Sequence, residues 1–229
     1  MIKVCAHRGV CADSVENTLE AFRAAITQKA DSIELDVWLT KDNQLAVHHD
    51  KVCEGIDLES SYFADLPDFI PSLNDVIITC SAMPLNVELK TSADTQIERL
   101  AIKAVEINSE LNLIDTGAKI LISSFDISVL QNIRKLSQEV RIGYLTAHTN
   151  WDASGLFKVI DDNNFQAVHP HYSLVTKEFM LTAKGNDLEV NVWTVNDREI
   201  AITLISLGVD SIITDDVKGI KSVIDSYSY

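Results

Sequence analysis

Long apolar runs are absent. No stretch of the 229 residues approaches the roughly 18 consecutive apolar positions that a membrane-spanning helix needs. The start, Met1-Ile2-Lys3-Val4-Cys5, moves directly into strand-like residues. It lacks the basic segment, apolar stretch and small-residue cleavage site of a secretory leader. A cytoplasmic protein with no stable membrane insertion is expected. Cysteine is scarce: Cys5, Cys11, Cys53 and Cys80 form no CxxC pair and are too few for a disulfide scaffold, so reduced thiols in or near the core are expected. Basic residues are also few, with 19 Lys and Arg against 34 Asp and Glu, a net charge of −15. A nucleic-acid surface wants clustered cations, so nucleic acid is not an expected partner, while a local cationic pocket for a small phosphorylated molecule remains open. No Pro/Gly/Ser linker or low-complexity segment interrupts the chain, and residues 1–229 read as one domain.

What is present is an alternation of short β-branched runs with amphipathic stretches. Candidate strands start near residues 3, 32, 85, 119, 140, 166, 188 and 211. Between them lie helical stripes such as Leu19, Phe22, Ala25 and Ile26, or Val129, Leu130, Ile133 and Leu136 behind Ser124-Phe125-Asp126, which supplies a capping residue. The spacing is even except after the second strand, where the chain holds a further short strand at Gln44–Val47 and an irregular stretch to Pro71. Eight β-then-α units of this length predict an α/β fold, a (β/α)₈ TIM barrel with an insertion after the second strand. A doubly wound open sheet is the alternative, but no GxGxxG follows the first strand.

In such a barrel the chemistry sits at the C-terminal ends of the strands. Reading only those positions gives His7 and Arg8, then Glu34 and Asp36, then Glu88 and Lys90, with His169 and Trp193 further on. Alternation puts Glu34 and Asp36 on one face, and likewise Glu88 with Lys90. That face is either lumen or solvent, which pattern alone does not settle. If it is the lumen, three converging carboxylates must be protonated, paired or metal-bound. Oxygen donors without cysteine favour a hard cation, Mg²⁺ or Ca²⁺. Arg8 and Lys90 would then complete an anion pocket, and His7 with His49 would handle protons. His48 reads as structural, and Arg8-Gly9 doubles as a turn in which Gly9 permits a positive φ.

The ordered set of motifs resembles the glycerophosphodiester phosphodiesterase family across nearly the whole chain. It comprises His7-Arg8-Gly9, Glu16-Asn17-Thr18, Glu34-Leu35-Asp36-Val37, Thr40-Lys41-Asp42, His49-Asp50 and Pro71-Ser72-Leu73. It continues through Asn86-Val87-Glu88-Leu89-Lys90, Ser123-Ser124-Phe125, Trp193-Thr194-Val195-Asn196, Gly208-Val209-Asp210 and Ile213-Thr214-Asp215. The resemblance implies hydrolysis of a small-molecule glycerophosphodiester to glycerol 3-phosphate and an alcohol with a divalent cation. It implies His7 and His49 as general acid and base, Glu34, Asp36 and Glu88 as metal ligands, and Arg8 and Lys90 as the phosphate contacts. His169 and Trp193 are added as expected substrate contacts. Departures lie in Val15, where relatives commonly have Pro, in Lys51–Gly55, and in the segment to Pro71, which in many relatives is a longer cover over the barrel mouth. Tyr62, Phe63, Leu66 and Phe69 there either pack on the barrel or form a lipid-binding patch, the latter suiting a lysophospholipase-D-like activity. A non-catalytic phosphate-binding barrel is the remaining alternative.

Overall fold

In the computed structural model, residues 2–11, 14–80, 83–114, 119–147 and 153–227 are described. The first unit is strand β1 (Lys3–His7) with helix α1 (Leu19–Thr27), and the second opens on β2 (Ser32–Leu39). An insertion follows. It carries β3 (Leu45–Val47), antiparallel to β2, and a small hairpin of β4 (Val52–Cys53) and β5 (Ile56–Asp57), and it ends at α2 (Leu73–Cys80). Six regular units complete the chain. They are β6 (Leu85–Leu89) with α3 (Ile97–Ile114), β7 (Ile120–Ser124) with α4 (Ile127–Leu136), and β8 (Arg141–Thr146) with α5 (Ala153–Asp162). Then come β9 (Ala167–Pro170) with α6 (Lys177–Gly185), β10 (Glu189–Val192) with α7 (Arg198–Leu207), and β11 (Ser211–Thr214) with α8 (Val217–Tyr227). The eight parallel strands run β1, β2, β6, β7, β8, β9, β10, β11, and β11 pairs back on β1 to close the barrel. Among the described residues no helix is long and apolar enough to cross a membrane.

Alternation along each strand separates two environments. Val4 and Ala6, Ile33, Leu35 and Val37, Val87 and Leu89, Ile120 and Ile122, and Val190 and Val192 face outward into one continuous core beneath the helices. That arrangement explains why these strands read as β-branched runs. The inward positions are different: Cys5, Ser32, Glu34, Asn86, Glu88, Ser123, His169, Asn191 and Ser211 make a largely polar lumen, with Leu121 and Ile213 among them. Cys5, Cys53 and Cys80 are buried, Cys11 is half-buried, and none is in a disulfide.

The insertion has its own small core, in which Trp38, Ala46, Cys53, Leu58, Leu66 and Ile70 pack together with Phe63 against them. Of the four residues for which packing or a lipid-binding patch was open, Phe63 and Leu66 are thus turned inward, while Tyr62 and Phe69 stay exposed. The Tyr62 ring lies under Lys41 Nζ at 4.7 Å.

The first βα loop shows how tightly the mouth is built. Gly9 has φ +86°, and a Cβ there would sit 2.7 Å from the backbone carbon of Ala21 at the start of α1. Gly9→Ala meets both obstacles, a disfavoured backbone and a clash with backbone that has no rotamer to yield. A loss of about 2 kcal/mol or more is expected, seen as a lower urea midpoint at unchanged slope.

Candidate active site

The register carries the acids to one level. His7 stands beside Glu34, and Asp36 beside Glu88, on neighbouring strands. Carboxylate oxygens of Glu34, Asp36 and Glu88 lie within 4.8 Å of one another, and all three residues are nearly removed from solvent. The inward face of β2 is therefore lumen, which settles what periodicity left open.

Asp36 is the hub. Its Oδ2 accepts from Asn17 Nδ2 at 2.9 Å and has Arg8 Nε 3.1 Å away, while Lys90 Nζ lies 3.1 Å from Oδ1. The Asp36 backbone N–H in turn donates to Asn17 Oδ1 at 3.2 Å. Arg8 Nε and Asp36 Oδ1 are nonetheless without an aligned hydrogen bond, so these charges face each other as ion pairs only. Lys90 Nζ also donates to Glu88 at 2.8 Å, and Arg8 Nη1 donates to Glu16 at 2.9 Å. Arg8 and Asn17 both hold left-handed φ, at 54° and 56°, and the Asn17 N–H donates to the Arg8 carbonyl at 2.9 Å. Two strained residues thus hold each other in place across the loop, and the Arg8 N–H remains free to donate to Glu34 Oε2 at 3.0 Å.

Burial would raise the Asp36 carboxyl, but Lys90 and Arg8 outweigh it and hold this group below the ordinary aspartate range. Glu34 has no such partner. Burial, and then the Asp36 charge, push it up to about 8, with His7 only partly offsetting them. Glu88 is raised for the same reasons, in the same order. Three carboxylates thus share two nearby cations, and one oxygen of the hub is an orphan. A hard divalent cation fits that deficit of positive charge and the all-oxygen donor set.

Each histidine is anchored by Nδ1. His7 donates to Asp215 Oδ1 at 2.7 Å, and Asn196 Nδ2 holds the other Asp215 oxygen at 2.7 Å. Burial opposes a charge on His7, but the Asp215 bond and Glu34 prevail and raise it. His49 sits where β3 has returned alongside β2. Its Nδ1 donates to Asp50 at 2.8 Å, and its carbonyl accepts from Trp38 Nε1 at 3.0 Å. Its charge is close enough to act on Asp36. A carboxylate on Nδ1 fixes the tautomer and directs Nε2 to chemistry. His48 instead bonds the Asp50 carbonyl at 2.9 Å.

Trp193 is at the mouth, edge-on to Phe125 and to His171, each with ring centroids 5.4 Å away. The substrate-contact role expected of His169 does not fit its position. It is fully buried in the lumen with Nε2 3.1 Å from Asn191 Nδ2, and it lines a cavity among the strand starts, at the end away from the acids. Period-two alternation gave its face correctly and could not give its depth.

Burial pushes His169 down to about 4. It is therefore neutral in the folded state while the unfolded state takes up a proton near 6.5. The stability this represents is whole above 6.5 and lost as pH falls towards 4. On the order of 3 kcal/mol is at stake, and a melting-temperature series from pH 7 to 4 should be visibly flatter for His169→Gln than for the wild type.

Reading strand ends alone missed Asn17, Asp215 and Asn196 as supports and Phe125 and His171 as mouth residues. Asp215 was in reach of that method, because it directly follows the eighth strand.

The sequence profile of the glycerophosphoryl diester phosphodiesterase family matches residues 7–57 and 54–218. A glycerophosphodiester phosphodiesterase of Caldanaerobacter subterraneus subsp. tengcongensis is 30% identical over 240 residues, 93% of each chain. A lysophospholipase D of Rattus norvegicus is 21% identical over 281 residues, 97% of this chain and 86% of its own. An Oleispira antarctica phosphodiesterase, solved in complex with the product sn-glycerol-3-phosphate, superposes with TM-score 0.86 at 25% identity over 98% of this chain and 97% of that one. Fold, mouth and relatives together define a phosphoric diester hydrolase on a (β/α)₈ barrel. Within that class, the chain belongs to the glycerophosphoryl diester phosphodiesterase family.

Proposed function

We propose that the protein hydrolyses glycerophosphodiesters to glycerol 3-phosphate and an alcohol, with a divalent cation held by Glu34, Asp36 and Glu88. The observation that carries the reading is the clustering of those three carboxylates beside Arg8 and Lys90, with two carboxylate-anchored histidines at the same mouth. A bound Mg²⁺ or Ca²⁺ would supply charge neutralisation for the phosphoryl oxygens. Arg8 and Lys90 contribute cationic donors to the same oxygens, in a recess where water screens them little. His49 accepts the proton of the nucleophile through Nε2, and His7, kept protonated by Asp215, returns a proton to the departing alkoxide. Phe125, His171 and Trp193 offer that alcohol an aromatic wall. The lysophospholipid alternative loses support from the inward packing of Phe63 and Leu66.

The test is release of glycerol 3-phosphate from glycerophosphocholine by chelator-stripped protein. Mg²⁺ or Ca²⁺ should restore a rate that stripped protein lacks. Full turnover without metal would overturn the ligand assignment, and no turnover with any metal would overturn the activity.

A further inference from the structure

The far end of the barrel holds a feature that the reaction does not use. A cavity of about 250 Å³ opens among the strand starts and reaches inward to Asn86, His169 and Asn191. Barrel lumens are ordinarily packed with Val, Ile and Leu. Here Cys5, Ser32 and Ser211 line the cavity with those three polar side chains, alongside Leu121 and Ile213. The room for the imidazole is itself built in: a Cβ on Gly143 would stand 2.5 Å from His169 Nε2.

Three of the lining side chains are nine-tenths or more buried and have an atom with no hydrogen-bond partner: Asn86 Oδ1, Asn191 Oδ1 and His169 Nδ1. Buried polar atoms in native proteins nearly always have partners, so water or a ligand is called for. Their chemistry selects the ligand. The two amide oxygens need donors. His169 Nε2 accepts from Asn191 Nδ2, so Nδ1 bears the proton and needs an acceptor. An anion would bring only acceptors to two carbonyl oxygens. A cation would bring only donors and would find no unpaired acid, because Asp31 is bridged to Lys221 at 3.1 Å and Glu189 to Arg141 at 2.7 Å. The charged lining residues Lys3, Asp31, Lys119 and Arg141 are exposed, and burial keeps the inner part uncharged, pushing the Cys5 thiol up to about 12 and His169 down to about 4. Hydroxyl groups donate and accept on one atom. An apolar cavity of about 150 Å³ admits benzene, so this one has room for a ligand of roughly six to ten non-hydrogen atoms.

We propose that the N-terminal end of the lumen is a second binding site, distinct from the mouth, that takes a small uncharged polyol. Erythritol is the probe, with sulfate and tetramethylammonium as anionic and cationic counterparts. A ¹H–¹⁵N NMR titration of the full chain should give saturable shifts at Cys5, Ser32, Asn86 and Ser211 with erythritol alone. Asn191→Leu, similar in size but without the amide, should weaken that binding at least tenfold. Ser211→Val removes only a lining hydroxyl and decides the matter should the first variant fail to fold, with a several-fold loss expected. Shifts that rise linearly without saturating would show a cavity holding only water and overturn the proposal. So would saturation of equal strength by either ion, or unchanged binding in the variants that fold.

Discussion

His7→Ala should lower kcat on glycerophosphodiesters of ordinary alcohols by roughly 10²–10⁴-fold, the usual worth of a positioned general acid. Changing the leaving group distinguishes this from a structural defect. A p-nitrophenyl ester departs as a stable anion and needs no proton, so the His7→Ala deficit should shrink on that substrate by an order of magnitude or more. His49→Ala should lose as much activity on both substrates, because the nucleophile is the same. Similar deficits for His7→Ala on both esters would remove it from the acid role. Asp215 offers an intermediate case. Asp215→Asn preserves shape but no longer holds a positive imidazole, so the alkaline limb of the rate profile should move to lower pH.

Asp36→Ala should be the most damaging change to the molecule as a whole. Removing this carboxylate relieves its repulsion of Glu34 and Glu88, but it also withdraws the partner that Arg8, Lys90 and Asn17 share. The net sign is readable from Asp36 itself, which stays well ionised despite burial. The cations therefore outweigh the repulsion, and the variant loses. Breaking one side of a buried ion pair costs about 3–5 kcal/mol, which in a chain of this size lowers Tm by roughly 10 °C. Melting in chelator measures that loss alone. In Mg²⁺ or Ca²⁺ the wild type should gain further Tm and the variant should not, because one of the three proposed ligands is gone. Equal metal stabilisation of both proteins would show the ion bound elsewhere.

Much of this architecture is legible in the sequence. The eight strands are visible because their outward faces are buried under helices, which forces β-branched residues at alternate positions. Glu34 with Asp36, and Glu88 with Lys90, are paired by the same period of two. What sequence withholds is distance between remote segments. Asp215 meets His7 across 208 positions, and no local pattern encodes that contact. Depth is withheld as well: His169 and Trp193 occupy the same side of adjacent strands, yet one faces the floor and the other the mouth. Phe63 and Phe69 lie in a segment without periodicity, so only folding separates the inward ring from the outward one.

The placement of apolar bulk outside the barrel wall bears on how such a chain can change over generations. The side chains that pack beneath the helices and the polar side chains of the lumen stand on opposite faces of the same strands. A substitution at an inward position leaves the helix-facing packing intact, and one at an outward position leaves the lumen chemistry intact. Selection can therefore act on ligand preference and on thermal robustness as nearly separate traits. The exception is the loop from Arg8 to Thr18, where the site and the start of α1 share residues, and there the two traits must move together.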